Sequence, residues 1–130
     1  MRDGGHTDAG MMNPFLQVAV GGAIGATCRY ALYRALPLAW LATGLVNVLG
    51  SFLMGLLAAL LTHRLGPAWA PLLLTGALGG FTTFSAFSLD VLTMWERGQG
   101  AGALAYVAGS VLLSLAAVTA GLALGRGIWA

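Results

Sequence analysis

Gly76-Ala77-Leu78-Gly79-Gly80-Phe81-Thr82-Thr83-Phe84-Ser85-Ala86-Phe87-Ser88 interrupts an otherwise apolar segment with three glycines and four hydroxyls. A glycine in a helix costs roughly 1 kcal/mol relative to alanine. In lipid, a backbone group freed by a broken helix must find a partner or line a wet cavity. The clustering of Gly-Gly, Thr-Thr and three phenylalanines at a spacing of three favours a membrane helix that breaks near Gly79–Thr83. Carbonyls freed there can hold a cation, as half-helix ends commonly do in transport proteins. The competing reading is close helix packing through small residues, with hydroxyls bonded back to their own helix.

Working outward, the composition places most of the chain in lipid. Of 130 residues, 58% are hydrophobic and 8% charged, against about 25% charged in a soluble domain. The net charge of +2 comes from six Arg and no Lys, without the basic patch and interleaved aromatics of a nucleic-acid binder. His6, His63 and Cys28 have no metal-ligand spacing. The lone Cys28 excludes an intrachain disulfide and reads as a small packing residue. No nucleophile–base pair suggests an enzyme.

Four apolar segments span about 14–36, 40–61, 69–95 and 102–124, each long enough to cross a bilayer. Together, 14–130 read as one four-helix transmembrane domain. Residues 1–13 are polar and glycine-rich and are expected to form a disordered tail, with Met11 or Met12 as alternative starts to Met1. No cleaved signal peptide is expected. Trp40, Trp69, Trp95 and Trp129 fall at segment ends, where interfacial aromatics belong. Arginines divide three (Arg2, Arg64, Arg126) against two or three (Arg34, Arg97, and Arg29 if it reaches that side). The positive-inside rule therefore gives no orientation. That balance suits a chain inserting both ways, and equally a chain with a weak bias.

Two polar stripes run along spans. Thr43, Asn47, Ser51 and Gly55 recur every four residues in the second segment, so they share a slowly drifting face. Asn47 at mid-membrane needs partners. It reads either as interhelical glue or as a pore-lining donor. Gly102, Tyr106, Ser110 and Ser114 form a similar stripe in the fourth segment, again open to a packing or an anion-contacting reading. In the first, Gly21-xxx-Gly25 and Gly22-xxx-Ala26 permit close approach. Arg29, about 21 Å along a helix from Phe15, is expected to snorkel or to attract anions from a vestibule.

Three stretches carry a resemblance: Gly79-Gly80-Phe81-Thr82-Thr83-Phe84-Ser85-Ala86-Phe87-Ser88, Gly21-Gly22-Ala23-Ile24-Gly25-Ala26-Thr27-Cys28-Arg29-Tyr30, and Gly44-Leu45-Val46-Asn47-Val48-Leu49-Gly50-Ser51-Phe52-Leu53-Met54-Gly55. In this order, over about residues 14–125, they resemble the Fluc (CrcB) fluoride channel family. The resemblance implies an antiparallel, dual-topology homodimer in a bacterial-type inner membrane, with two pores for passive fluoride efflux. It implies that Phe84 and Phe87 meet the ion through the positive edges of their rings, while Phe81 packs. It puts Asn47 beside the path, with Thr83 and Ser85 as further donors and Tyr106, Ser110 and Ser114 as a track. Arg29 matches a basic position of the family. A structural Na⁺ at the dimer centre is implied, on the backbone carbonyls of Gly79 and Thr82. Asp90 stands where the family commonly has an acid, often the longer Glu.

Two rivals remain at this level. A small multidrug-type, dual-topology transporter needs a carboxylate in its first helix, and the first segment has none. A non-transporting membrane assembly subunit would explain the glycines but not the two polar stripes.

Overall fold

The computed structural model describes residues 12–130, so the expected tail over 1–13 lies almost wholly outside the described residues. Helix α1 covers Pro14–Ala35. Pro14 sits at the first helical position, and the Asn13 carboxamide oxygen accepts from the Phe15 amide at 2.8 Å, satisfying an otherwise orphan N–H. Helix α2 covers Ala39–Leu60 and continues in wider turns through Leu65. The chain then stops at Gly66, whose φ of 83° belongs to the left-handed region that glycine adopts without strain.

The third span, Pro67–Glu96, is irregular. It opens with a tight turn over Pro67–Trp69, widens over Pro71–Leu78 and passes through the short turn α3, Gly79–Phe81. Thr82 (φ −86°, ψ 157°) and Thr83 (φ −152°, ψ 118°) are extended, and α4 then runs over Phe84–Glu96. Gly98, with φ 76°, turns the chain into α5, Gly100–Trp129. The last helix is longer than the 102–124 read from the sequence, since it starts at Gly100 and continues through Gly125-Arg126-Gly127 to Trp129.

All four spans are helices long and apolar enough to cross a membrane, and Trp40, Trp69, Trp95 and Trp129 lie in their terminal turns.

Glycine decides how the spans pack, forming two seams where backbones touch. A Cβ on Gly21 or Gly25 would collide with the Leu72 or Ala77 carbonyl, and one on Gly80 would lie 2.7 Å from the Gly22 carbonyl. This is the seam between α1 and the first half of the third span. A Cβ on Gly55 or Gly121 would strike the Val118 or Phe52 carbonyl, which defines the seam between α2 and α5. Lipid supplies no hydrophobic drive between helices, so such backbone contact is the main cohesive term. The two pairs meet where Phe81 and Thr82 fill the space left by Gly50, and Thr43 and Val46 of α2 are fully buried. Cys28, expected to pack, instead faces outward.

Candidate functional site

The two extended threonines create a polar demand, because the carbonyls before them lose their helical donors. Asn47 of α2 meets part of it. Its carboxamide donates to the Thr83 carbonyl at 2.9 Å and accepts from the Thr83 amide at 2.8 Å. Asn47 is thus first a clamp on the third span. One carboxamide N–H is used there, and a second remains. The Thr83 hydroxyl accepts from the Ala86 amide at 3.2 Å, capping α4, and lies 3.3 Å from the Ser85 hydroxyl.

Arg29 does not snorkel outward. It is half-buried, and its Nε–H donates to the Gly80 carbonyl at 3.0 Å. The Thr82 amide and hydroxyl both donate to the Leu78 carbonyl, at 3.0 and 2.9 Å. Among the described residues, no hydrogen bond reaches the carbonyls of Gly79 or Thr82.

Beside the threonines lies a crevice of about 380 Å³, walled by α2, α4 and α5. It brings together Asn47, Thr82, Thr83, Phe84, Phe87, Ser110 and Ser114 from the sequence reading. It adds Ser51 and Met54, which the sequence reading did not assign to the path; the Thr43–Asn47–Ser51 stripe was the available signal. Arg29, Ser85, Gly79 and Tyr106 do not line it. Hydroxyls such as those of Thr27, Ser51 and Ser88 are spent on carbonyls one turn back. No such bond engages Ser110 or Ser114 among the described residues, which leaves their hydroxyls free to face the crevice. Helix α4 begins in this wall. The Thr83 hydroxyl takes the Ala86 amide, and the other amides of the first turn, with the positive dipole end, favour an anion there.

The phenylalanines differ. Phe81 is buried against Gly50, as a packing residue would be. Phe87 is also buried, whereas Phe84 is 78% exposed. Their rings lie 5.6 Å apart, tilted by 48°. Phe87 continues to Tyr106 at 5.2 Å, and Tyr106 to Trp40 at 6.1 Å, edge to face. Tyr106 donates its hydroxyl to the Asp90 carboxylate at 3.1 Å, so the shorter Asp still finds a partner. Tyr106 and Ser110 line a neighbouring groove of about 620 Å³ beside Trp40 and Met94. Ser110 borders both spaces. A contact between the Tyr33 and Thr43 hydroxyls ties α1 to α2, a pairing that no spacing or periodicity in the sequence announces.

These features define a class: an all-helical, four-span membrane protein with an anion-compatible polar crevice beside an irregular third span. Residues 16–122 match the family described as CrcB-like protein, Camphor Resistance (CrcB). A protein of Paracoccus denitrificans named fluoride-specific ion channel FluC is 60% identical, over 92% of this chain and all of that one. Proteins of the same name from Cereibacter sphaeroides and Rhizobium meliloti are 53% and 50% identical, over 90% and 88% of this chain and 98% of each relative. The chain belongs to the CrcB family.

Proposed function

We propose that this chain conducts fluoride passively across a bacterial-type inner membrane, as an antiparallel homodimer of four-span subunits. The observation that carries the reading is the crevice in which a free Asn47 N–H, two unengaged serine hydroxyls and the start of α4 converge beside two aromatic rings. Fluoride is small and holds its water tightly, so a path must replace that water with donors. Asn47, Thr83, Ser110 and Ser114 are the donors that line the crevice, with Ser85 outside it but 3.3 Å from the Thr83 hydroxyl. Phe84 and Phe87 add weakly positive ring edges without the full charge that would trap the ion. The names and high identity of the relatives support the choice of fluoride.

The third span works here as a broken helix, its interruption at Thr82–Thr83 opening the wall of the path. A second copy would cover exposed Phe84 and the outward face of α1, where Phe15 and Ile24 are exposed. The near-even arginine count is compatible with opposite insertion of the two copies. Tyr106 would extend the path from the crevice along the neighbouring groove.

The donor set also fits the implied Na⁺. Gly79 and Thr82 offer oxygen ligands of the kind hard cations prefer, and no described donor competes for them. When bound, the cation would supply fixed positive charge between the two broken spans. The residues that present those carbonyls are this chain's own contribution.

A proton-coupled transporter is disfavoured, since no acid lies in α1, α2 or α5 and Asp90 already holds the Tyr106 hydroxyl. The test is efflux from liposomes containing purified protein, with no pH gradient. Fluoride should leave and chloride stay. Equal release of both ions, or a strict need for a proton gradient, would overturn the proposal.

A further inference from the structure

We infer that Arg29 is a positioning residue that pins the upstream side of the Thr82–Thr83 interruption, through a donor at one fixed place rather than through its charge. The inference rests on reading that interruption as functional. Its own evidence is the contact between α1 and the third span.

In an unbroken helix the Gly80 carbonyl would accept from the amide of Phe84. With Thr82 and Thr83 extended, that donor is lost, and a carbonyl unpaired within a membrane is costly. The Arg29 Nε–H takes its place at 3.0 Å, from a residue 51 positions earlier. Downstream, Asn47 holds both polar groups of the Thr83 backbone. Two side chains from two helices thus grip the gap, one on each side. Between them the Thr82 amide and hydroxyl bond back to the Leu78 carbonyl, and the Thr82 carbonyl is left without a donor among the described residues.

The reach of Arg29 depends on the glycine seam. Gly21, Gly25 and Arg29 recur every four residues on one face of α1. The glycines bring that face into backbone contact with Leu72 and Ala77. One turn further on, the side chain enters beside Gly80, whose own lack of Cβ leaves room against Gly22 and Ala26. Any larger residue in the seam would lift α1 and withdraw the donor. An arginine recruited only to attract anions would have no reason to turn its Nε inward.

Side-chain chemistry separates position from charge. In arginine, Nε is attached to Cδ. In glutamine the amide nitrogen is also attached to Cδ, so Arg29→Gln keeps an N–H donor at that place and removes the charge. Lysine carries a methylene there, so Arg29→Lys keeps the charge and moves the donor one bond outward. Gly80–Phe81 is the only Gly-Phe pair in the chain. Carbonyl-¹³C glycine with ¹⁵N-phenylalanine therefore reports the Gly80 carbonyl alone by solid-state NMR in liposomes.

Arg29→Ala should move that resonance and lower fluoride flux by roughly tenfold or more, the cost of leaving one buried carbonyl without a donor. Arg29→Gln should restore both toward wild type, and Arg29→Lys neither. Rescue by lysine with failure of glutamine would overturn the inference in favour of charge. Failure of both would overturn the claim that the donor suffices. An unmoved Gly80 resonance in Arg29→Ala would mean that the contact is not made. A moved resonance with undiminished flux would remove the positioning role. Should the wild type pass no fluoride, the channel reading fails and the resonance still decides the contact.

Discussion

Replacing Asn47 by leucine tests the clamp most directly. Leucine roughly preserves shape, so little of the effect comes from an empty cavity. It leaves the Thr83 amide and carbonyl, held at 2.8 and 2.9 Å in the native protein, without partners. Each orphaned group costs about 1–3 kcal/mol, so the pair sets a range of about 2–6 kcal/mol. Thr83 borders the crevice, where water can reach one side of it. That moves the expectation to the lower part of the range, about 2–4 kcal/mol. The assay is reversible unfolding of the purified protein in mixed detergent–dodecyl sulfate micelles, with liposome flux measured in parallel. Ser51→Ala is the control: its hydroxyl only bonds back to the Asn47 carbonyl at 2.7 Å, and its loss should cost within about 0.5 kcal/mol. Asn47→Leu should also lower flux, since the start of α4 loses its anchor and the path loses a donor. A cost for Asn47→Leu no larger than that of Ser51→Ala would refute the clamp, whatever happens to flux.

Three further outcomes follow from the geometry. Gly25→Ala would force a Cβ into the Ala77 carbonyl and to 2.9 Å from the Phe81 amide, whereas the nearest atom to a Cβ on Gly22 is the Gly76 carbonyl at 4.0 Å; thermal melting followed by size-exclusion elution should show a loss of about 2 kcal/mol or more for the first and a neutral or slightly stabilising effect for the second. Phe84→Leu and Phe87→Leu should cut fluoride flux sharply with normal elution, while Phe81→Leu costs on the order of 1 kcal/mol in stability and less flux; undiminished flux in both Phe84 and Phe87 variants would sink the ring-edge role. A single cysteine at position 64, in a Cys28→Ala background, should be labelled from both sides of the membrane, and labelling from one side alone would remove the antiparallel dimer.

The four spans were readable because hydropathy and length are local quantities, and lipid enforces both. The irregular third span was readable as a region but not residue by residue. Within the expected range Gly79–Thr83, Gly79 and Gly80 stay helical, and Gly80 is small because α1 crosses it at Gly22. The extended residues are the two threonines, and the one local sign was Thr83, able to cap α4 with its hydroxyl. Asn47 shows why spacing stops short of chemistry. A pore donor and a backbone clamp both require a carboxamide on the same face of α2, and only the distances to Thr83 separate them. Arg29 is the extreme case. Its partner is a main-chain carbonyl 51 residues away, and a carbonyl is present at every position, so no pairing of side-chain types announces the bond. The same holds for Ser110 and Ser114, whose distinction from Ser51 and Ser88 lies in bonds not made to their own helix. Periodicity can put polar atoms on a face. Whether they are spent on the backbone or left for an ion depends on how closely the glycine seams let the helices approach, and that is settled only in three dimensions.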